Sequence, residues 1–194
     1  FLIGLPKQTK ESVMDTIDYC DFLLTKFKSD KRLSLFIAPL SPFLDPGSLG
    51  FGQPQRYGYS VLFRTLNEHR QALLSPSWKY SLNYETEWMT RHQIAETTYE
   101  AILRLNRVKA KHGVISKQMA EISEHRIKAA SEMMHRIDNV LSEEDYQEKL
   151  TRLKTEIDRI NMFPVSEKIQ LELPVGLVKF RLLRALWAWV TGQW

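Results

Sequence analysis

The sequence predicts an α/β first half joined to a mostly α-helical second half. Three observations carry that expectation: a strand–helix–strand pattern in residues 1–38, a long aromatic loop rich in Pro and Gly after it, and three successive helical periodicities from Arg91 onward. They divide the chain into residues 1–88 and residues 89–194, the latter ending in an amphipathic helix.

The apolar run Phe1-Leu2-Ile3-Gly4-Leu5 reads as a short buried strand, which Pro6 to Lys10 stop and lead into a helix. Val13, Ile17, Cys20, Leu24 and Phe27 follow spacings of four, three, four and three, so all five fall on one stripe of that helix and Cys20 belongs to the core. After the polar break Lys28–Arg32, Leu33-Ser34-Leu35-Phe36-Ile37-Ala38 carries a second buried-strand signature. The loop from Pro39 to Tyr59 holds four Pro and four Gly, and its aromatics Phe43, Phe51, Tyr57 and Tyr59 argue for packing rather than disorder. Val61 to Leu74 is expected as a helix ended by Ser75-Pro76-Ser77-Trp78. In the second half, Ile94, Thr98, Ile102 and Leu105 line one helix that Gly113 ends; Ile115, Met119, Ile122, Met133, Ile137 and Val140 mark the next. Ser142 with Asp145 resembles a capping box. Tyr146, Leu150, Leu153, Ile157 and Ile160 then predict a third helix, paired with its predecessor as an antiparallel hairpin.

Composition narrows the function. The chain has 194 residues, 43% hydrophobic and 26% charged, enough for one core or two small ones. It opens at Phe1 with no charged leader and no small-residue cleavage site, which reads as a truncated start. Cys20 is the single cysteine; a disulfide-built secreted domain and structural zinc on thiolates are excluded, and a cytoplasmic, reducing compartment is expected. The segment Leu173–Trp194 carries Lys179, Arg181 and Arg184 without an acid and supplies most of the net charge of +4. The nearly neutral remainder argues against a nucleic-acid partner. No span of about 20 uncharged apolar residues is present.

Several motifs invite chemistry. Gly47-Ser48-Leu49-Gly50-Phe51-Gly52 lacks the Gly-Lys-Ser/Thr ending of a phosphate cradle and reads as an aromatic-packed turn. Glu132 and His135 have Glu-x-x-His spacing, but a di-iron site needs two such motifs, and Glu121 with His125 is not one; a solvated charged face is expected, with no metal site and no catalytic residue on this chain. Leu177–Val190, with Trp187 and Trp189, is apolar on one side and basic on the other, suiting peripheral membrane contact or protein docking.

Beyond these patterns, Gly4-Leu5-Pro6 followed by Gln8-Thr9 at the end of an apolar strand resembles the late barrel strand of radical-SAM enzymes. Ala38-Pro39-Leu40-Ser41-Pro42-Phe43-Leu44-Asp45-Pro46-Gly47-Ser48 is similar to the following segment in radical-SAM proteins that carry a cobalamin-binding domain. So are Trp78-Lys79, Leu82-Asn83-Tyr84-Glu85-Thr86 and Trp88-Met89-Thr90-Arg91. Lys7 stands where many members of that group have glycine or a small residue. The likeness covers roughly residues 1–115. It implies the C-terminal part of an incomplete radical-SAM (β/α) barrel followed by a helical tail, from an enzyme that cleaves S-adenosylmethionine reductively at a [4Fe-4S] cluster. The cluster loop and the cobalamin domain would lie in upstream parts of the same polypeptide, and the substrate is left open. It further implies that Leu2, Gly4, Gln8, Ile37 and Ala38 face the adenosyl part of the cofactor. Chemically, apolar strand ends sandwich a purine, Gly4 permits close approach and Gln8 offers a donor and an acceptor. Asp45, just beyond the second strand, is placed to take a substrate hydroxyl or amine, although Asp-Pro-Gly also makes a turn unaided. The rival from a different class is a non-catalytic helical interaction module, docking a protein partner or a membrane surface through the C-terminal amphipathic helix.

Overall fold

The structure, a computed structural model, describes residues 1–28, 33, 35–39, 44–141 and 145–161. Residues 1–160 form one compact unit. The expected features at Phe43, at Ser142 and throughout Leu177–Val190 lie outside the described residues.

Strand β1 (Leu2–Ile3) is followed by helix α1 (Lys10–Lys26) and by β2 (Ala38–Pro39), which pairs with β1 in parallel, Leu2 opposite Ala38 and Ile3 opposite Pro39. Helix α1 begins at Thr9, whose hydroxyl accepts from the Ser12 amide while Ser12 returns a bond to the Thr9 amide, a reciprocal cap. Its stripe Val13, Ile17, Cys20 and Leu24 is buried as the periodicity requires. Phe27 departs from the expectation: it is the C-cap residue and 52% exposed, because the chain leaves helical geometry there and Lys28 turns left-handed with φ of 50°.

The expected barrel segment is overturned. Among the described residues the parallel sheet has two strands of two residues each, and helices dominate the rest. Among the described residues the ladder is two rungs long, and Pro39, opposite Ile3, has no N–H to give to it. Within the apolar run, Leu35 and Ile37 instead pack half-buried against the main core without entering the ladder.

The long loop is ordered by local chemistry. Ser48 caps a single turn, α2 (Leu49–Gly52), and a 3₁₀ turn, Pro54–Tyr57, ends at Gly58 in the left-handed region. The expected helix from Val61 begins later. Tyr59–Val61 is strand β3, paired antiparallel with β4 (Tyr84–Thr86), and α3 (Leu66–Leu73) starts only after Thr65. Thr65 and Glu68 form a capping box, in which the Glu68 carboxylate accepts from the amides of Thr65 and Arg64 and is held down at about 2. A second 3₁₀ turn, Trp78–Ser81, precedes β4.

Helices α4 (Arg91–Lys111), α5 (Lys117–Leu141) and α6 (Tyr146–Asn161) form where three helices are predicted, with Ile94, Thr98, Leu105, Met133, Ile137 and Leu153 buried, whereas Ile115 precedes α5 and Ile122 and Tyr146 are exposed. Gly113, at φ of 66°, ends the α4 segment as expected. Helix α4 is the spine: it packs on α1 and α5 and touches β1, β2 and β4. Its Ile94, Ala101 and Leu105 join Ile3, Val13, Ile17, Leu82, Tyr84 and Met89 in the main core. Met133 and Ile137 of α5 meet Leu153 of α6 in a smaller cluster, with Arg136 paired to Glu156 at its edge.

Candidate functional site

Two places concentrate polar groups. The first is the end of β1, where the resemblance implies the adenosyl contacts. Gln8 folds back over the strand end: its Oε1 accepts from the amides of Gly4 (2.8 Å) and Leu5 (3.2 Å), and its Nε2 donates to the Leu2 carbonyl. Leu2, Gly4 and Gln8 are therefore one hydrogen-bonded unit, and both ends of the Gln8 amide are committed to the turn. The turn is left-handed twice, at Gly4 (φ of 96°) and at Lys7 (φ of 61°).

Gly4 is required by its neighbour as well as by its backbone. A Cβ there would lie 2.5 Å from the Tyr84 hydroxyl and 3.3 Å from two ring carbons. Tyr84 is completely buried, edge-on to Tyr59, and its hydroxyl is the one buried side-chain polar atom among the described residues that lacks a hydrogen-bond partner. Burial pushes that phenol well above its ordinary range. Ala38 is the ladder partner of Leu2, with Ile37 just before it, so β2 belongs to the same corner. Asp45 is set apart in an exposed turn: its carbonyl accepts from the Ser48 amide at 3.0 Å, with Pro46 and left-handed Gly47 between, the arrangement of a type II turn. Just before that turn, fully buried Asn83 clamps Leu44, accepting from its amide (2.7 Å) and donating to its carbonyl (3.2 Å).

The second place is the seam between α4, α5 and the Trp78–Ser81 turn. Lys79 is 5% exposed, and its ammonium donates to Asp138 Oδ2 at 2.5 Å. Tyr80 donates to Asp138 Oδ1 at 2.7 Å and takes Lys79 and Arg91 near its ring, 4.7 and 5.0 Å from the centroid. Burial pushes the Tyr80 phenol up to about 12, with the Asp138 charge adding to it. Burial also raises Asp138, but the bonds from Lys79 and Tyr80 outweigh that and hold its carboxyl below the usual value. Outside this part-buried triad, His92 Nδ1 lies 3.3 Å from Lys79 Nζ and 3.8 Å from Asp138 Oδ2. His92 Nε2 faces Glu96 Oε1 at 3.3 Å, and His135 Nε2 approaches the same oxygen at 3.7 Å.

No protein-family model, curated protein or solved structure matches this chain. The site therefore rests on its own geometry.

Measured against the cofactors that the resemblance implies, the two corners differ. A [4Fe-4S] cluster does not fit: Cys20 is buried in the α1 core, burial raises its thiol, and no other cysteine exists. For the adenosyl group the β1 corner offers an apolar surface at exposed Leu2 and part-buried Ile37, while Gln8 is committed to its own turn and the unpartnered Tyr84 hydroxyl is closed off behind Gly4. Tyr84 was visible in the sequence only as part of the resemblance, and nothing in its local pattern assigns it to this corner. The grouping of His92 with Glu96 was legible as an i, i+4 pair on one helix. His135 enters through tertiary packing, and its carboxylate neighbour is Glu96 of α4, not the Glu132 suggested by spacing. No helix among the described residues is long and apolar enough to cross a membrane.

Proposed function

We propose that this chain acts as the C-terminal portion of a cobalamin-associated radical-SAM enzyme, contributing a wall against the adenosyl group while other parts of the polypeptide hold the [4Fe-4S] cluster and cobalamin. The observation that carries the reading is the unpartnered Tyr84 hydroxyl against Gly4 at the end of β1. Burying a hydroxyl without a partner costs on the order of 1–3 kcal/mol, and such groups are concentrated where a ligand or water completes the bonding. Lys7 counts against close backbone approach at this turn, because it puts a long side chain at a left-handed position where members of the group carry glycine or a small residue. In this reading Gln8 positions the turn rather than touching the purine, and Leu2 and Ile37 supply the apolar side, next to Ala38 in the ladder. A reducing, cytoplasmic setting follows from the cluster's chemistry and from the single buried thiol. The substrate, a small molecule or another group, stays open in this reading, and Asp45, the expected substrate contact, stands in its own exposed turn.

The test is to express the natural full-length polypeptide under anaerobic conditions, reconstitute it with iron and sulfide, and measure 5′-deoxyadenosine released from S-adenosylmethionine with a chemical reductant. Release, with a raised KM for S-adenosylmethionine in Tyr84→Phe and an unchanged melting temperature or a higher one, supports the reading. A reading frame lacking three closely spaced cysteines, or no release, overturns it.

A second reading, a non-catalytic helical interaction module, is favoured by the outer face of α1. There Tyr19 and Phe22 stack at 5.9 Å in the open, and Lys26 lies 5.7 Å from the Phe22 ring centre. The same assay separates the two, because an interaction module releases no 5′-deoxyadenosine.

A further inference from the structure

The His92, Glu96 and His135 cluster carries an inference independent of the radical-SAM reading. One ligand atom from each lies within 4.8 Å of the other two. His92 and Glu96 sit one turn apart on α4 and His135 faces them from α5, so the cluster is fixed by two long packed helices rather than by loops. The three side chains are each close to half exposed, so an ion reaches them without opening the core.

Zinc binds imidazole nitrogen and carboxylate oxygen at about 2.0–2.2 Å, which in a tetrahedron separates ligand atoms by about 3.3–3.6 Å. The observed 3.3 Å from His92 Nε2 to Glu96 Oε1 and 3.7 Å from His135 Nε2 to the same oxygen are close to those edges. The ligand atoms of His92 and His135 lie within 4.8 Å of each other, and the two rings stand 5.9 Å apart between centroids. A metal-bound histidine is normally oriented by an acceptor on its other nitrogen. Here Asp138 Oδ2, itself anchored by buried Lys79, lies 3.8 Å from His92 Nδ1. Metal at Nε2 places the ring proton on Nδ1, which then cannot accept from Lys79 Nζ at 3.3 Å and must close the 3.8 Å to Asp138 Oδ2 to donate there.

We infer that His92, Glu96 and His135 form a binding site for one divalent transition-metal ion of the zinc class, with Asp138 as the residue that orients His92 and a fourth coordination position open to water. Two imidazoles with one carboxylate select zinc-like ions over magnesium or calcium, which prefer all-oxygen shells. Three protein ligands with an open position is the arrangement of zinc sites that act on a bound water or ligand, rather than of closed structural ones.

The experiment is calorimetric titration of the untagged full chain with Zn²⁺, repeated for His92→Asn, Glu96→Gln, His135→Asn, Asp138→Asn and, as a control away from the cluster, His125→Asn. The expected result is one equivalent bound by the wild type, weakened about 100-fold or more by each ligand substitution and about 10–100-fold by Asp138→Asn, with His125→Asn unchanged. Substitution by Co²⁺ gives an independent readout, the intense visible bands of a four-coordinate ion, lost in the His135 variant. Circular dichroism of each variant separates lost ligation from lost folding, and a folded variant is the one that counts. Absence of a one-equivalent site, or His135→Asn binding as tightly as wild type, overturns the inference. Binding lost equally on His125→Asn does so too, by assigning the metal to scattered surface histidines.

Discussion

Replacing Gly4 with Ala should destabilise the protein through two separable effects, and a cycle with Tyr84→Phe divides them. The backbone at Gly4 has φ of 96°, where an L side chain is strained by about 1–2 kcal/mol. The new Cβ would also fall 2.5 Å from the Tyr84 hydroxyl, in a fully buried place where overpacking costs about 1–3 kcal/mol. Gly4→Ala alone should therefore cost about 2–5 kcal/mol. Tyr84→Phe alone should be neutral or stabilising by up to about 1 kcal/mol, since the deleted hydroxyl has no partner to lose. With the hydroxyl gone, the nearest atoms to the Cβ are ring carbons at 3.3 Å, a contact that a small shift relieves. The double variant should then retain only the backbone strain, giving a coupling of about 1–3 kcal/mol. Urea denaturation followed by tryptophan fluorescence and circular dichroism measures all four corners of the cycle. Additive costs would refute the steric argument, and a Tyr84→Phe loss above about 1 kcal/mol would show that the hydroxyl holds a partner after all.

Other perturbations test the rest of the architecture. Lys79→Met should cost about 2–4 kcal/mol in the same denaturation assay, because it leaves Asp138 charged and mostly buried, whereas Lys79→Met with Asp138→Leu should recover much of that loss. Lys7→Gly should stabilise by about 1 kcal/mol by removing left-handed strain at an exposed site; a loss in melting temperature would contradict the assigned backbone. The Asp138 carboxyl lies below its ordinary value of 3.8 in the folded chain, so its contribution is complete above that value and fades as pH falls below it; Asp138→Asn should flatten the stability profile there.

How far the sequence reached depends on the range of the interaction. The α1 stripe and the periodicities of α4, α5 and α6 were legible because 3.6-residue repeats sustained over four or more turns leave little else to form. The second strand was overestimated. Leu33 to Ala38 has buried-strand composition, yet among the described residues only Ala38 of that run enters the ladder, opposite Leu2, because β1 offers just Leu2 and Ile3 as partners. Strands β3 and β4 went unseen because three residues such as Tyr59-Ser60-Val61 are too few to show a period, and their pairing spans more than twenty residues of intervening chain. Helix α3 was drawn too early, although Thr65 with Glu68 carries the start signal. At the β1 corner, Gly4 and Gln8 were legible as a motif, but the Gln8 bonds to Leu2, Gly4 and Leu5 show the motif serving its own turn. Tyr84 and the α4–α5 cluster depend on contacts that only the folded chain creates.

Buried Lys79 also makes this protein self-reporting. Its amine sits under the Tyr80 ring and on Asp138, so a water-borne acylating reagent reaches it only when the seam between α5 and the 3₁₀ turn parts. The half-exposed amines of Lys10 and Lys111 react from the closed state. The ratio of labelling at the Lys79 peptide to labelling at those two therefore clocks the opening of one seam, residue by residue in a mass spectrum, while the rest of the fold stays shut.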